Sequence, residues 1–114
     1  MKIEELFARR FQEMELALKE LLKKGEPQRT GATLYPMMDF QQWATSVMNL
    51  LDQIVGANGA HYKKFAQAQM SEKGQRYIMD GDMNKCAGIF RAAHDDFIGG
   101  YMTSFRSLVE AEIL

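Results

Sequence analysis

From Ile3 to Lys24 the apolar residues Phe7, Phe11, Met14, Leu18 and Leu21 step by four, three, four and three, and Ile3, Leu6 and Leu22 widen the stripe. Such spacing gathers apolar side chains on one face of an α-helix, whereas a strand would scatter them over both faces. The stripe predicts a long amphipathic first helix that must bury one side against other elements. Early acids (Glu4, Glu5) and late lysines (Lys23, Lys24) suit the helix macrodipole. Glu5 with Arg9, Glu15 with Lys19 and Glu20 with Lys24 stand four apart in the favourable order. Gly25 and Pro27 end the element.

Residues 25–38, GEPQRTGATLYPMM, hold both prolines and two glycines without a sustained period and read as a connector. Asp39, with Gln42 three residues on, has the arrangement of a capping box and predicts the start of a second helix. Phe40, Trp43, Val47, Leu50, Leu51 and Ile54 form its expected buried face, and Gly56 closes it. After Asn58 a shorter helix carries Tyr62, Phe65 and Ala66 until Ser71-Glu72-Lys73-Gly74 breaks it. Asp80 or Asp82 can cap a last helical region through Met83, Cys86, Phe90, Phe97, Tyr101, Phe105, Leu108 and Val109. Within it Gly99-Gly100 marks a kink, a close crossing or a break. No alternating run is long enough for a sheet. The expected fold is all-α, an antiparallel bundle of four or five helices with a long N-terminal helix.

A chain of 114 residues makes one domain, 1–114, able to bury a core. Fourteen Lys and Arg against fifteen Asp and Glu leave a net charge of -1, which gives no global field for nucleic acid or anionic lipid. The single cysteine, Cys86, cannot form an internal disulfide and suits a reducing compartment, so the expected location is cytoplasmic. The N-terminus lacks the apolar core of a secretory signal. The most apolar stretch, VMNLLDQIV, is interrupted by Asn49 and Asp52 and is far short of a membrane span. Leu108, Val109, Ile113 and Leu114 leave the chain on an apolar stripe. That face either packs back on the bundle or awaits the next helix of a longer protein.

Little here carries chemistry. His94 with Asp95 or Asp96 fails as a metal pair, because neighbouring helix positions point about 100° apart. Asp80 and Asp82 flank Gly81 but lack the further ligands of a calcium loop. Cys86 falls on the apolar stripe and reads as core, as does Trp43 beside Phe40, Val47 and Leu50. Arg9-Arg10 and Lys63-Lys64 are pairs only and read as solvated helix faces, so no nucleic-acid partner is expected. The glycines do not have the spacing of a phosphate loop. No catalytic residue, metal or cofactor is expected. The candidates for binding are His61 and Tyr62, in the first turn of the short helix, and His94.

Two blocks carry a resemblance. Phe40, Trp43, Asn49, Leu50, Leu51 and Gly56 followed by His61, Tyr62 and Phe65 form the first. The second is Ala87-Gly88-Ile89-Phe90-Arg91-Ala92-Ala93 with Asp96, Gly99, Gly100 and Tyr101. Together they resemble the N-terminal helical region of a group of bacterial multidomain proteins. Segments of the abortive-infection kind, or domains resembling nucleotide-binding TIR domains, often follow that region. Asn58-Gly59-Ala60 departs from the pattern, where Ser-Pro or Ser-x is more usual. The resemblance implies an accessory module of unassigned activity. The expected function is a non-enzymatic protein-interaction or scaffolding module, with a defence association implied by the resemblance and a second copy or other domains of a longer chain as partners. The alternative is a small-ligand binder or enzyme with a pocket around His61 and Tyr62.

Overall fold

The apolar stripe of the N-terminus is realised as α1, Ile3–Lys23, with Phe11, Met14, Leu18 and Leu21 buried along one side. The computed structural model describes residues 2–70 and 74–101. After α1 come two short strands, β1 (Glu26–Pro27) and β2 (Thr33–Pro36), then the helices α2 (Met37–Val55) and α3 (Ala60–Ala68). A third strand, β3 (Tyr77–Met79), leads directly into α4 (Asp80–Gly99). Contacts run from α1 to α2, α2 to α3, α3 to α4 and α4 back to α1.

The fold is broadly helical but not all-α, because the strands form an antiparallel sheet in the order β1-β2-β3. Tyr35 lies opposite Ile78 and both are buried. Leu34 opposite Met79 and Pro36 opposite Tyr77 face outward. The longest of these strands has four residues, too few for alternation to stand out. The turn between β1 and β2 is held by the Gln28 N–H donating to Ala32 O at 2.7 Å and the Gly31 N–H to Gln28 O at 3.0 Å.

The sheet also moves the start of the second helix. Its first N–H, on Met37, donates to Arg76 O at 2.8 Å, so the ladder supplies a partner that the expected Asp39 cap would have replaced. No side chain caps α2, and Asp39 instead accepts from Lys24 Nζ at 3.1 Å. The three expected i,i+4 pairs on α1 are likewise absent among the described residues. Lys24 reaches α2, Glu15 holds Arg91 of α4 at 3.0 Å, and Glu20 pairs with Lys23.

Glycines close α2 and α4. Gly56 closes α2 at φ 77° and ψ 168°, a conformation that side-chain-bearing residues avoid. At the end of α4 the Gly99-Gly100 pair is a break. Gly100 is left-handed, its N–H donates to Phe97 O, and the Tyr101 N–H donates to Asp96 O at 2.8 Å, the two bonds of a Schellman motif. The expected continuation through Phe105, Leu108 and Val109, the apolar C-terminal stripe and most of the Ser71–Gly74 breaker lie outside the described residues.

The core is wholly apolar among the described residues and takes aromatic rings from all four helices. Phe11 packs on Phe90 and Phe97 with ring centres at 5.9 and 5.0 Å. Trp43 meets Phe65 and Phe90 nearly edge-on at 5.7 and 5.6 Å. The expected face of α2 is buried throughout, from Phe40 to Ile54.

Two glycines are expected to answer alanine with opposite signs. Gly56→Ala forces a side chain into the avoided conformation and should destabilise the chain by about 1–3 kcal/mol. Gly88 lies inside α4 with nothing within 4 Å of an added Cβ, so Gly88→Ala should stabilise it by up to about 1 kcal/mol. Urea denaturation of both variants is the test, and shifts of the same sign would contradict the backbone assignment.

Candidate functional site

His61 is placed by a corner. Gly56 ends α2, the Gly59 N–H donates to Gly56 O at 3.0 Å, and α3 starts at Ala60. One turn further on, Phe65 is fully buried against Trp43, which anchors α3 and leaves His61, on the same side of the helix, at the rim of the core. There its Nε2 lies 2.8 Å from Asp96 Oδ2, in the last turn of α4. An ionised carboxylate only accepts, so the proton of this bond sits on Nε2 and the ring is fixed in tautomer and orientation.

The other two candidates are elsewhere. His94 lies two residues before Asp96, about 200° around α4, and stacks on Phe11 with ring centres 4.9 Å apart and planes 1° from parallel. Tyr62 is half-buried against the core. The structure therefore does not unite His61, Tyr62 and His94 in one pocket.

What it does show is a groove between α3 and α4, of about 420 Å³, with His61 and Lys64 on one wall and Asn84, Lys85 and Asp96 on the other. Asn84, Gly88, Ala92 and Asp96 recur every four residues and so form one line along α4. The small side chains at its middle, Gly88 and Ala92, leave the hollow. A second hollow of about 230 Å³ adjoins it, rimmed by the same Lys64 and Lys85 and by Gln67. Neither lysine has a carboxylate partner among the described residues. A hollow between α1 and α2, of about 340 Å³, differs in this respect. Its rim cation Lys24 is answered by Asp39 across it at 3.1 Å, and rim Glu20 pairs with Lys23 at 3.1 Å.

Chemically, the groove offers two ammonium groups, an amide and an oriented imidazole whose Nδ1 is the free acceptor in the neutral ring. No Ser, Thr, Cys or Tyr lines it. The described residues contain no group of three His, Cys, Asp or Glu side chains that could hold a metal ion. No helix among them is long and apolar enough to cross a membrane. Cys86 is fully buried, and its thiol is pushed up to about 12 from 9.0, by burial first and by Asp82 second.

Sequence reasoning named His61 but not its partner, read Lys64 with Lys63 as a solvated helix face, and did not single out Lys85. No local spacing marks the partner, because His61 and Asp96 stand 35 residues apart. Compared with known proteins, the chain matches no family model, no curated protein and no solved structure.

Two outcomes follow. Because Cys86 is the only cysteine and stays protonated and enclosed, a thiol reagent at pH 8 should label the native protein only as fast as it unfolds. Immediate labelling would contradict the burial. The raised thiol pKa also sets a sign: its contribution to stability is intact below about pH 9 and declines as pH rises toward 12. For His61 and Asp96, whose side chains are 23% and 45% exposed, a double-mutant cycle with His61→Ala and Asp96→Ala should return a coupling of about 0.2–1 kcal/mol. Zero coupling would mean that the bond does not tie α3 to α4.

Proposed function

We propose that this chain is a non-enzymatic protein-interaction and scaffolding module of a bacterial cytoplasmic protein, of the helical accessory kind found in defence-associated multidomain proteins. In this reading its helices form an antiparallel bundle, and a partner is engaged along the α3–α4 face. The observation that carries the reading is the groove there. The seam stays open at Gly88 and Ala92, its lysines are unpaired among the described residues, and its one histidine is already held by Asp96. A surface prepared in this way can accept a partner without first breaking contacts of its own. The resemblance carried by Phe40 to Phe65 and Ala87 to Tyr101 supplies the bacterial and defence-associated setting.

The test is site-specific photo-crosslinking in the source organism. A photoreactive residue at Gln67, on the rim of the hollow that adjoins the groove, should trap one defined protein, identified by mass spectrometry. The same residue at exposed Gln12 on α1 should not. The same products from both positions, or none from Gln67, would overturn the reading. Light scattering of the purified chain then tells a second copy of it from a different partner.

A further inference from the structure

We propose that the partner segment seated in the α3–α4 groove is acidic, with carboxylates set against Lys64 and Lys85 and apolar side chains on the floor at Ile89 and Ala92. The proposal rests on the reading of the chain as an interaction module and adds the chemistry of what it binds.

The charge distribution points to this partner. The chain carries a net charge of -1, yet the groove concentrates positive charge, one lysine from each wall. The same two lysines rim the adjoining hollow, so they stand at the centre of one continuous furrow. The only carboxylate lining the groove, Asp96, is engaged by His61 at 2.8 Å and does not answer them. Across the molecule, the hollow between α1 and α2 has its rim cation Lys24 paired with Asp39. Complementary charge therefore remains to be supplied at the α3–α4 groove and not at the other.

Shape decides between a segment and a small molecule. Small-ligand sites enclose roughly 70–90% of what they bind. This furrow lies between two surface helices and opens to solvent along its length, which suits a segment laid across it as in helix-in-groove recognition. At one end the Asn84 amide can meet main-chain groups at the end of a segment. Rim lysines then set encounter rate and register, while the floor supplies contact area.

The experiment uses the whole 114-residue chain and three probes: an amphipathic helical peptide bearing Glu on its polar face, the same peptide with Gln at those positions, and inorganic phosphate. Binding is followed by fluorescence anisotropy and by amide chemical-shift mapping. The Glu peptide should shift amides along α3 and α4. Its affinity should fall as salt rises from about 50 mM to about 300 mM. It should also drop roughly tenfold or more in the Lys64→Glu, Lys85→Glu double variant. A urea melt of that variant matching the parent shows that the loss is not unfolding. Equal binding of the Gln peptide would overturn acidic recognition while leaving the groove as the contact surface. Shifts lying away from α3 and α4 would overturn the groove reading as well. Phosphate reproducing the same shifts and displacing the peptide would replace the segment with a small anion.

Discussion

The arrangement of helices depends on Trp43. Its ring lies edge-on to Phe65 of α3 and Phe90 of α4, and its indole N–H donates to the Met14 carbonyl of α1 at 3.1 Å. One side chain of α2 therefore touches each of the other three helices. Edge-to-face contacts add only about 0.5–1.5 kcal/mol beyond area burial, but they are directional in a way that aliphatic packing is not. The hydrogen bond matters for a different reason: an indole N–H that is almost fully buried needs an acceptor, and the α1 backbone supplies it. Displacing α1 along its axis would leave that donor unpaired. A core otherwise built from interchangeable apolar contacts thus acquires a fixed register.

Around this centre, among the described residues, three seams carry one pair of ionisable side chains each: Lys24 with Asp39 between α1 and α2, Arg91 with Glu15 between α1 and α4, and His61 with Asp96 between α3 and α4. All three are partly exposed, so each contributes little to stability. Their role is geometric. The Arg91 guanidinium approaches both oxygens of Glu15, at 3.0 to 3.5 Å, which restrains the rotation of α4 about its own axis. The fourth seam, between α2 and α3, has the shortest connection, and there Gly56 fixes the turn through its backbone angles.

Features that repeat along one helix were legible in the sequence. The stripe of α1 and the face of α2 needed only helical spacing; the α2 face is buried throughout, and the α1 stripe is buried from Phe11 to Leu21, with Phe7 half-buried and Leu6 exposed. The sheet was not legible, because β1 and β2 lie in a proline-bearing connector and β3 reaches them only after α2 and α3 have folded back. A three-residue strand pairing across some forty positions leaves no local pattern. Asp39 was misread for the same reason: its pattern was that of a cap, but a distant backbone carbonyl had already taken the position. The candidate site divides in the same way. His61 stood out as a polar residue in a helix's first turn, whereas Asp96 comes within 2.8 Å of it only through the packing of α3 on α4.

Two unpaired surface lysines are in themselves unremarkable, since water solvates an ammonium group well and the isolated chain loses nothing by leaving them so. Their meaning comes from the contrast between seams. Where α1 meets α2 and α4, Lys24 finds Asp39 and Arg91 finds Glu15 on the facing helix. Where α3 meets α4, the facing helices present like charges, Lys64 and Lys85, on the rims of the same two hollows. Like charges at close quarters oppose the approach of the two helices by a small amount. The His61–Asp96 bond ties the seam at one end, and the two lysines stand on its opposite walls. An anion placed between them relieves that repulsion and gains attraction from both sides. The same geometry that sets two like charges on facing walls therefore makes this a seam that an acidic partner strengthens.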